Sequence, residues 1–451
     1  MPSSLFVGAG MPSPPFASGG RQRRGRMRRG GEDEGEATSV LNAYEIDEDN
    51  FNVMDYGATS DDLTDDSQAF LEAWNDACGA SVESSRVYVP AEKTFVVLSH
   101  HFSWPLLCFY NQFPRRIMAP ESPSSWDGGD ASQWLGFKNV NGLKVDGFGL
   151  IDGQGKAWWD QSCRYHPQLA LKFVSCNESS VGNMKFTNSA QTHILVRGCN
   201  SFSIDNVMIE SPGNSPNTDG IHIQSSQDVV ITNSKIASGD DCISIGDHIS
   251  NIEIQNVECG PGHGISIGSL GRGGNYVQVE NIRVTDAVFN GTTNGARIKT
   301  WQVGRGYVRD VTFQNLVFNY VQNPIIIDQN YCNVRNACKE QLETGVQISN
   351  VIYKEVLGTS TTEIAININC SRSVPCFGIS MESIQLLSAD VGKEVTANCS
   401  NAYGQEVDGS CSLSFGLINS SSIYLIICKI NVSLLYYYRK IAFTIQMNIM
   451  N

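Results

Sequence analysis

Between residues 51 and 411 apolar and polar side chains alternate in short runs, and the runs come back at intervals. Phe202–Ile204, Val229–Ile231, Ile252–Ile254 and Val277–Val279 each set an apolar residue at every second position, the period of a strand with one buried face. An Asn-x-x-apolar step recurs with them, at Asn183, Asn206, Asn233, Asn256, Asn281, Asn315 and Asn350, at intervals of 23, 27, 23, 25, 34 and 35 residues. A second strand follows later in each unit: His193–Val196, Gly220–Ile223, Cys242–Ile245, Gly264–Ile267, Gly295–Ile298 and Pro324–Ile327. Repeats of this length, made of short strands and glycine-rich turns with no helix between them, predict an all-β fold. The expected architecture is a single-stranded right-handed parallel β-helix, a solenoid in which each coil buries its inward side chains against the next. The recurring asparagines are expected to stack in hydrogen-bonded ladders at the turns. A solenoid leaves an open strand edge at each end. Asp65-Asp66-Ser67, followed by Phe70, Leu71, Trp74, Ala77 and Cys78, predicts a short N-terminal capping helix, with its side-chain cap in the Asp-Asp-Ser run.

The repeat makes residues 41–411 one elongated domain. Residues 1–40, Pro/Ser/Gly-rich and then arginine-rich, read as a disordered leader or a mispredicted first exon, and 412–451 as a poorly specified tail. The stretch from His100 to Ala119 breaks the strand pattern, so an early coil is expected to be disrupted. Composition agrees with strands and turns: 42 glycines against 15 prolines in 451 residues. A net charge of −14 opposes a nucleic-acid partner, and no uninterrupted apolar run long enough for a membrane span occurs. The 14 cysteines include no Cys-x-x-Cys, which removes the usual zinc ribbons and leaves disulfides. Cys332/Cys338, Cys370/Cys376 and Cys399/Cys411 are close pairs, and Asn177, Asn290, Asn369 and Asn398 head glycosylation sequons. These features suit a secreted protein, although the chain shows no basic stretch followed by an apolar signal run.

Candidate chemistry enters through phase. Asp219-Gly220-Ile221, Asp241-Cys242-Ile243 and His263-Gly264-Ile265 fall 22 residues apart, each just before the second strand of its coil. Equal phase in a parallel solenoid predicts that they stack about 4.8 Å per rung. Asp240 adds a third carboxylate. Carboxylates so close cannot all ionise cheaply, so at least one is expected to have a raised pKa suited to a general acid. Arg297 and Lys299, one coil further on and two residues apart, share a strand face with His222, Ser244 and Ser266. That cationic pair favours a uronic acid over a neutral sugar. The string Gly264-Ile265-Ser266-Ile267-Gly268 matches a serine-hydrolase elbow by letters only, since it lies on a repeating strand. Trp158 and Trp159 read as core or cap packing rather than a sugar platform, and Tyr331 as either.

Four short motifs in order, Asn217-Thr218-Asp219, Gly239-Asp240-Asp241, Gly262-His263-Gly264 and Arg297-Ile298-Lys299, resemble the signatures of the polygalacturonases, the pectin-cleaving glycoside hydrolases, and most resemble the plant-type members. The similarity runs from Phe51-Asn52-Val53 through Asp152-Gly153-Gln154-Gly155 to about Cys411. The resemblance implies inverting hydrolysis of α-1,4-galacturonosidic bonds with no metal and no organic cofactor. It implies Asp240 as general acid, Asp219 and Asp241 as activators of water, and His263 as keeper of the protonation state. Asn217, Arg297, Lys299 and Tyr331 would hold the substrate, and Cys242 and Cys259 would form a short disulfide. The rung spacing alone leaves retention and inversion open. The implied partner is an acidic polysaccharide, polygalacturonate or pectin, met by a monomer outside the cell, with no nucleic acid and no membrane. Two rivals remain at this level: a non-catalytic binder of acidic polysaccharide, and a calcium-dependent pectate lyase, for which no extra acidic cluster is visible.

Overall fold

The computed structural model describes residues 49–80, 85–98, 100–103, 116–126, 134–160, 171–332, 344–407, 412–416 and 425–429. The chain divides into units 1–46 and 47–451, and the first lies outside the described residues, as do the leader expected over 1–40 and positions 104–115 of the irregular stretch. The second unit is a parallel β-helix. Its strands build one 11-stranded and one 16-stranded sheet in which sequence-successive coils are hydrogen-bonded neighbours. The described ends of the stretch from His100 to Ala119 keep the strand pattern, against the expected disruption: His100–Ser103 pairs in regular parallel register with Leu135–Lys138, and Arg116–Met118 with both Thr94–Val96 and Leu150–Asp152.

Inside, one residue type stacks on its like from coil to coil. Ile194, Ile221, Ile243 and Ile265 are Cα partners across successive strands, as are Val196, Ile223, Ile245, Ile267 and Ile298, and all are fully buried. Aromatic rings stack similarly, Phe137 on Phe173 with centroids 5.5 Å apart and Phe313 on Tyr353 at 5.2 Å. Removing this continuous apolar column from water is the main favourable term for the fold.

The asparagine repeat resolves into two ladders rather than one. All seven asparagines have positive φ, between 51° and 56°, the left-handed conformation that Asn and Asp adopt most readily after Gly. Asn206 donates to Asn183 and Asn256 to Asn233, each at 2.7 Å. Register then places Asp286, not Asn281, above Asn256, and Asn315 donates to Asp286 at 2.6 Å. Asn281 belongs to a second corner, where it donates to Asn251 at 2.7 Å, and Asn350 donates to Asp310 there at 3.0 Å. Both corners need a left-handed residue, so the letters alternate between them and the apparent intervals shift. At each such residue the in-out alternation skips one position. In Gln227–Ala237, Val229 and Ile231 point inward before Asn233, and Ser234 and Ile236 after it.

Ser67–Gly79 forms the expected helix, with Phe70, Ala73, Trp74 and Ala77 buried against the first coils. Its side-chain cap is displaced by one residue. Asp66 makes no cap hydrogen bond and instead accepts from Thr59 N–H at 2.6 Å, whereas Asp65 accepts from Ser67 N–H at 3.0 Å. Trp158 is buried, and Trp159 donates to the Ser189 carbonyl at 3.1 Å, so both serve packing. In the segment 412–451, Ser412–Gly416 and Leu425–Lys429 pair as an antiparallel hairpin. Cys370–Cys376 is a disulfide as expected; Cys338 and Cys411 lie outside the described residues.

Candidate active site

The phase arithmetic holds in space. Ile221, Ile243 and Ile265 are register partners, so Asp219, Asp241 and His263, each two residues earlier, head three adjoining coils. The rungs are joined there by main-chain bonds: Gly220 N–H donates to the Asp241 carbonyl at 2.9 Å and Cys242 N–H to that of Gly264 at 2.8 Å. Glycines let the turns approach. A Cβ on Gly239 would stand 1.8 Å from the Ser215 carbonyl oxygen, and Gly264 combines φ +87° with only 2.2 Å to that of Asn294. The Cys242–Cys259 disulfide ties the catalytic coil to its own return strand.

Each carboxylate is held differently. Asp219 Oδ2 accepts from Ser244 Oγ at 2.6 Å, and Ser244 Oγ in turn meets His222 Nδ1 at 2.7 Å. His222 is pushed down to about 4 by burial and by Lys299, which favours the neutral imidazole in its hydrogen bond with the hydroxyl. Asp241 Oδ1 accepts from Ser266 Oγ at 2.7 Å and Oδ2 from Lys299 Nζ at 2.7 Å. Asp240 Oδ1 accepts from its neighbour's backbone N–H at 2.8 Å and meets His263 Nδ1 at 3.0 Å, while Asn217 Nδ2 reaches Oδ2 at 3.3 Å.

These surroundings split the three carboxyls. Burial, then the negative charges of Asp240 and Asp241, raises the Asp219 pKa well above the usual carboxylate range. Burial also opposes ionisation of Asp240, but the His263 hydrogen bond and charge outweigh it and the pKa falls. The Asp240 hydrogen bond raises His263 in return. The raised carboxyl expected from crowding is therefore Asp219, while Asp240 and His263 hold a proton between them.

The cationic pair also divides. Lys299 is buried and its ammonium is engaged by Asp241, whereas Arg297 is half-exposed and its buried Nε has no partner among the described residues. Tyr331 stands beside both, its ring centroid 5.6 Å from Arg297 Cζ and 5.8 Å from Lys299 Nζ, and packs edge-on against Trp301 at 5.5 Å.

Comparison with known proteins adds the decisive observation. The sequence model of glycosyl hydrolases family 28 matches residues 114–411, a span that contains every residue of this site. The chain belongs to glycosyl hydrolases family 28. It is 42% identical to polygalacturonase QRT2 of Arabidopsis thaliana over 362 residues, 78% of this chain and 81% of that one. Polygalacturonase-2 of Solanum lycopersicum is 40% identical and covers 78% of each chain. Among solved structures, endo-xylogalacturonan hydrolase from Aspergillus tubingensis aligns with a TM-score of 0.65 at 22% identity, covering 78% of this chain and 98% of the other, which shows a shared fold.

In this family 28 glycosidase the sequence motifs named the charged groups but not what holds them. Ser244 and Ser266 each bond the carboxylate 25 residues earlier, one coil back, and the constant offset is the signal that could have found them. Ser266 spends its hydroxyl on Asp241, which disposes of the serine-elbow reading. Asp240, Asp241 and His263 bring three donor atoms within 4.8 Å of one another, a set that could hold a cation. Asp241 already gives both oxygens to Ser266 and Lys299, and an incoming divalent ion would face that ammonium. The arrangement suits proton transfer better than metal binding.

Proposed function

We propose that this hydrolase cleaves α-1,4-galacturonosidic bonds of polygalacturonate by metal-free acid-base catalysis with inversion, outside the cell. The observation that carries the reading is three carboxyls on two adjoining coils, His263 on the next, and an unpaired arginine donor on the coil after that. Arg297 takes the sugar carboxylate through its fork of donors, with Tyr331 closing the ring face and Asn217 alongside. Lys299 acts chiefly through Asp241, which it holds in place. The Asp240–His263 pair supplies a proton to the leaving oxygen through the Asp240 carboxyl, and Asp241 with Asp219 orients a water and takes its proton. The Cys242–Cys259 and Cys370–Cys376 disulfides support an oxidising destination. A pectate-lyase reaction is disfavoured by the same Lys299 that crowds the cation set.

The raised pKa of Asp219 favours a second assignment, with Asp219 as the proton donor. An aryl galacturonide whose leaving group needs no protonation separates the two. With Asp240 as donor, Asp240→Asn retains turnover of the aryl substrate after losing that of polygalacturonate, and Asp219→Asn loses both. The reverse pattern reassigns the acid. Reducing ends released from polygalacturonate, with no unsaturated product and with the inverted anomer appearing first by NMR, test the reaction itself; polysaccharide bound without any product contradicts it.

A further inference from the structure

The outward residues of the 11-stranded sheet form rows along the solenoid axis, and a pyranose ring is about as long as a rung is high, so a polysaccharide lying along the axis meets a new rung at each sugar. The row through Lys299 changes character from one end to the other. Before the carboxylates it carries Lys138 and Arg197, both exposed, with Val174 between them and then Gln224. After Lys299 it carries Asp328, Asn369 and Ser400 on three successive coils. The neighbouring row continues past Arg297 as Ile326, Asn367 and Asn398. On the coils after Arg297 and Lys299, then, the described residues of the two rows include no cation and one acid, Asp328. That acid is kept in place by the Asn330 backbone N–H at 2.9 Å and Asn369 Nδ2 at 3.4 Å. Burial raises its pKa, against the opposing pull of these hydrogen bonds and of the Arg297 charge one coil back.

An ionised galacturonate next to Asp328 meets a like charge, and with Arg297 one coil back and Lys299 held by Asp241 it finds no further counter-charge on the wall, whereas its methyl ester, neutral and able to accept hydrogen bonds from amides, avoids that repulsion. On the other side, Arg197 and Lys138 favour the free acid, and an ester there leaves them without an anion. We infer that this face reads esterification asymmetrically: sugars on the coils before the carboxylates are required as free galacturonates, and sugars past Arg297 and Lys299 are accepted as methyl esters. The inference rests on the polygalacturonate reading of the same site and names partly esterified pectin as its substrate class.

The test is digestion of randomly methyl-esterified pectin in oxygen-18 water, which marks each new reducing end, with tandem mass spectrometry to locate the esters. Esters are expected at least tenfold more often on one side of the cut than on the other, a preference equivalent to about 1.4 kcal/mol. Arg197→Gln is expected to lower that ratio about tenfold by admitting esters on the strict side, and Asp328→Lys to exclude them from the tolerant side. Esters found equally on both sides, or on neither, overturn the inference, as does a ratio unmoved by both variants. Wild-type protein that leaves unesterified polygalacturonate intact overturns the underlying reading as well; hydrolysis with symmetric esters overturns this inference alone.

Discussion

On one corner of the 16-stranded sheet Asn256 donates to Asn233 and Asn233 to Asp205, both at 2.7 Å, while on the 11-stranded sheet the same one-coil offset sets Asp219, Asp241 and His263 one above another. Both regions stack polar residues by winding the chain. In the first, the amides donate to an oxygen one coil below, and Asn233 also accepts from the coil above, so each rung puts a donor on an acceptor and steadies the corner. In the second the carboxylates Asp219 and Asp241, with Asp240 beside them, are like charges, which repel, and only added partners make the stack tolerable: Lys299 and Ser266 for Asp241, Ser244 for Asp219, His263 for Asp240. The lesson is that one geometric device serves stability where its rungs set a donor on an acceptor and chemistry where they set carboxylates beside one another. Damage should separate accordingly.

The largest stability effect is expected where the charged stack loses its internal counter-ion. Lys299→Met leaves the buried Asp241 with Ser266 alone and should cost about 3–5 kcal/mol by urea denaturation, together with activity. A loss under 1 kcal/mol would mean that the two side chains are not held together. Next, Asn233→Ala removes two ladder bonds and places a Cβ-bearing residue without amide support at φ 51°. About 1–2 kcal/mol should be lost with turnover per folded molecule unchanged, and Asn233→Gly should recover part of it. If the catalytic rate falls instead, the two regions are not separable.

The third prediction changes sign. Because the Asp219 pKa is raised in the folded state, its contribution to stability is fully present below the ordinary carboxylate value and is lost as pH rises through the folded value. Asp219→Asn should therefore raise Tm at neutral pH relative to wild type, and the gain should shrink toward pH 3 while activity is absent throughout. His263 follows the same rule from its own raised value, its stabilisation being complete below about 6.5 and disappearing above it. The alkaline limb of kcat/KM is expected to track that loss and to move to lower pH in His263→Gln. The smallest effect is expected at an exposed rung pair: Lys235→Gln, opposite Glu258 at 3.2 Å, should change stability by about 0.5 kcal/mol or less.

What the sequence made legible follows from what repeats. Apolar alternation and equal spacing are properties of single coils, so the solenoid, the helix over Ser67–Gly79 and the meeting of Asp219, Asp241 and His263 could all be read from letters. Partnerships across coils were harder, because coil length varies: the step above Asn256 is 30 residues to Asp286, and the asparagine repeat slid onto Asn281 in the other corner. Charges were visible but their use was not. Nothing in the spacing of Arg297 and Lys299 shows that one ammonium is consumed by Asp241 while the guanidinium keeps an unpaired donor. The resemblance suggested Asp240 as the acid, and only the surroundings of each carboxyl bring out Asp219 as the raised one.

The central claim, that the charged stack is kept for chemistry and not for stability, is tested most directly by measuring reducing-end release from polygalacturonate and Tm side by side in Asp219→Asn, Asp240→Asn and Asp241→Asn. The account predicts a fall in rate of about 10²–10⁴-fold in each, with Tm unchanged or higher for Asp219→Asn. Wild-type rates in a variant whose Tm collapses would show that the stacked carboxylates hold the solenoid together and cut nothing.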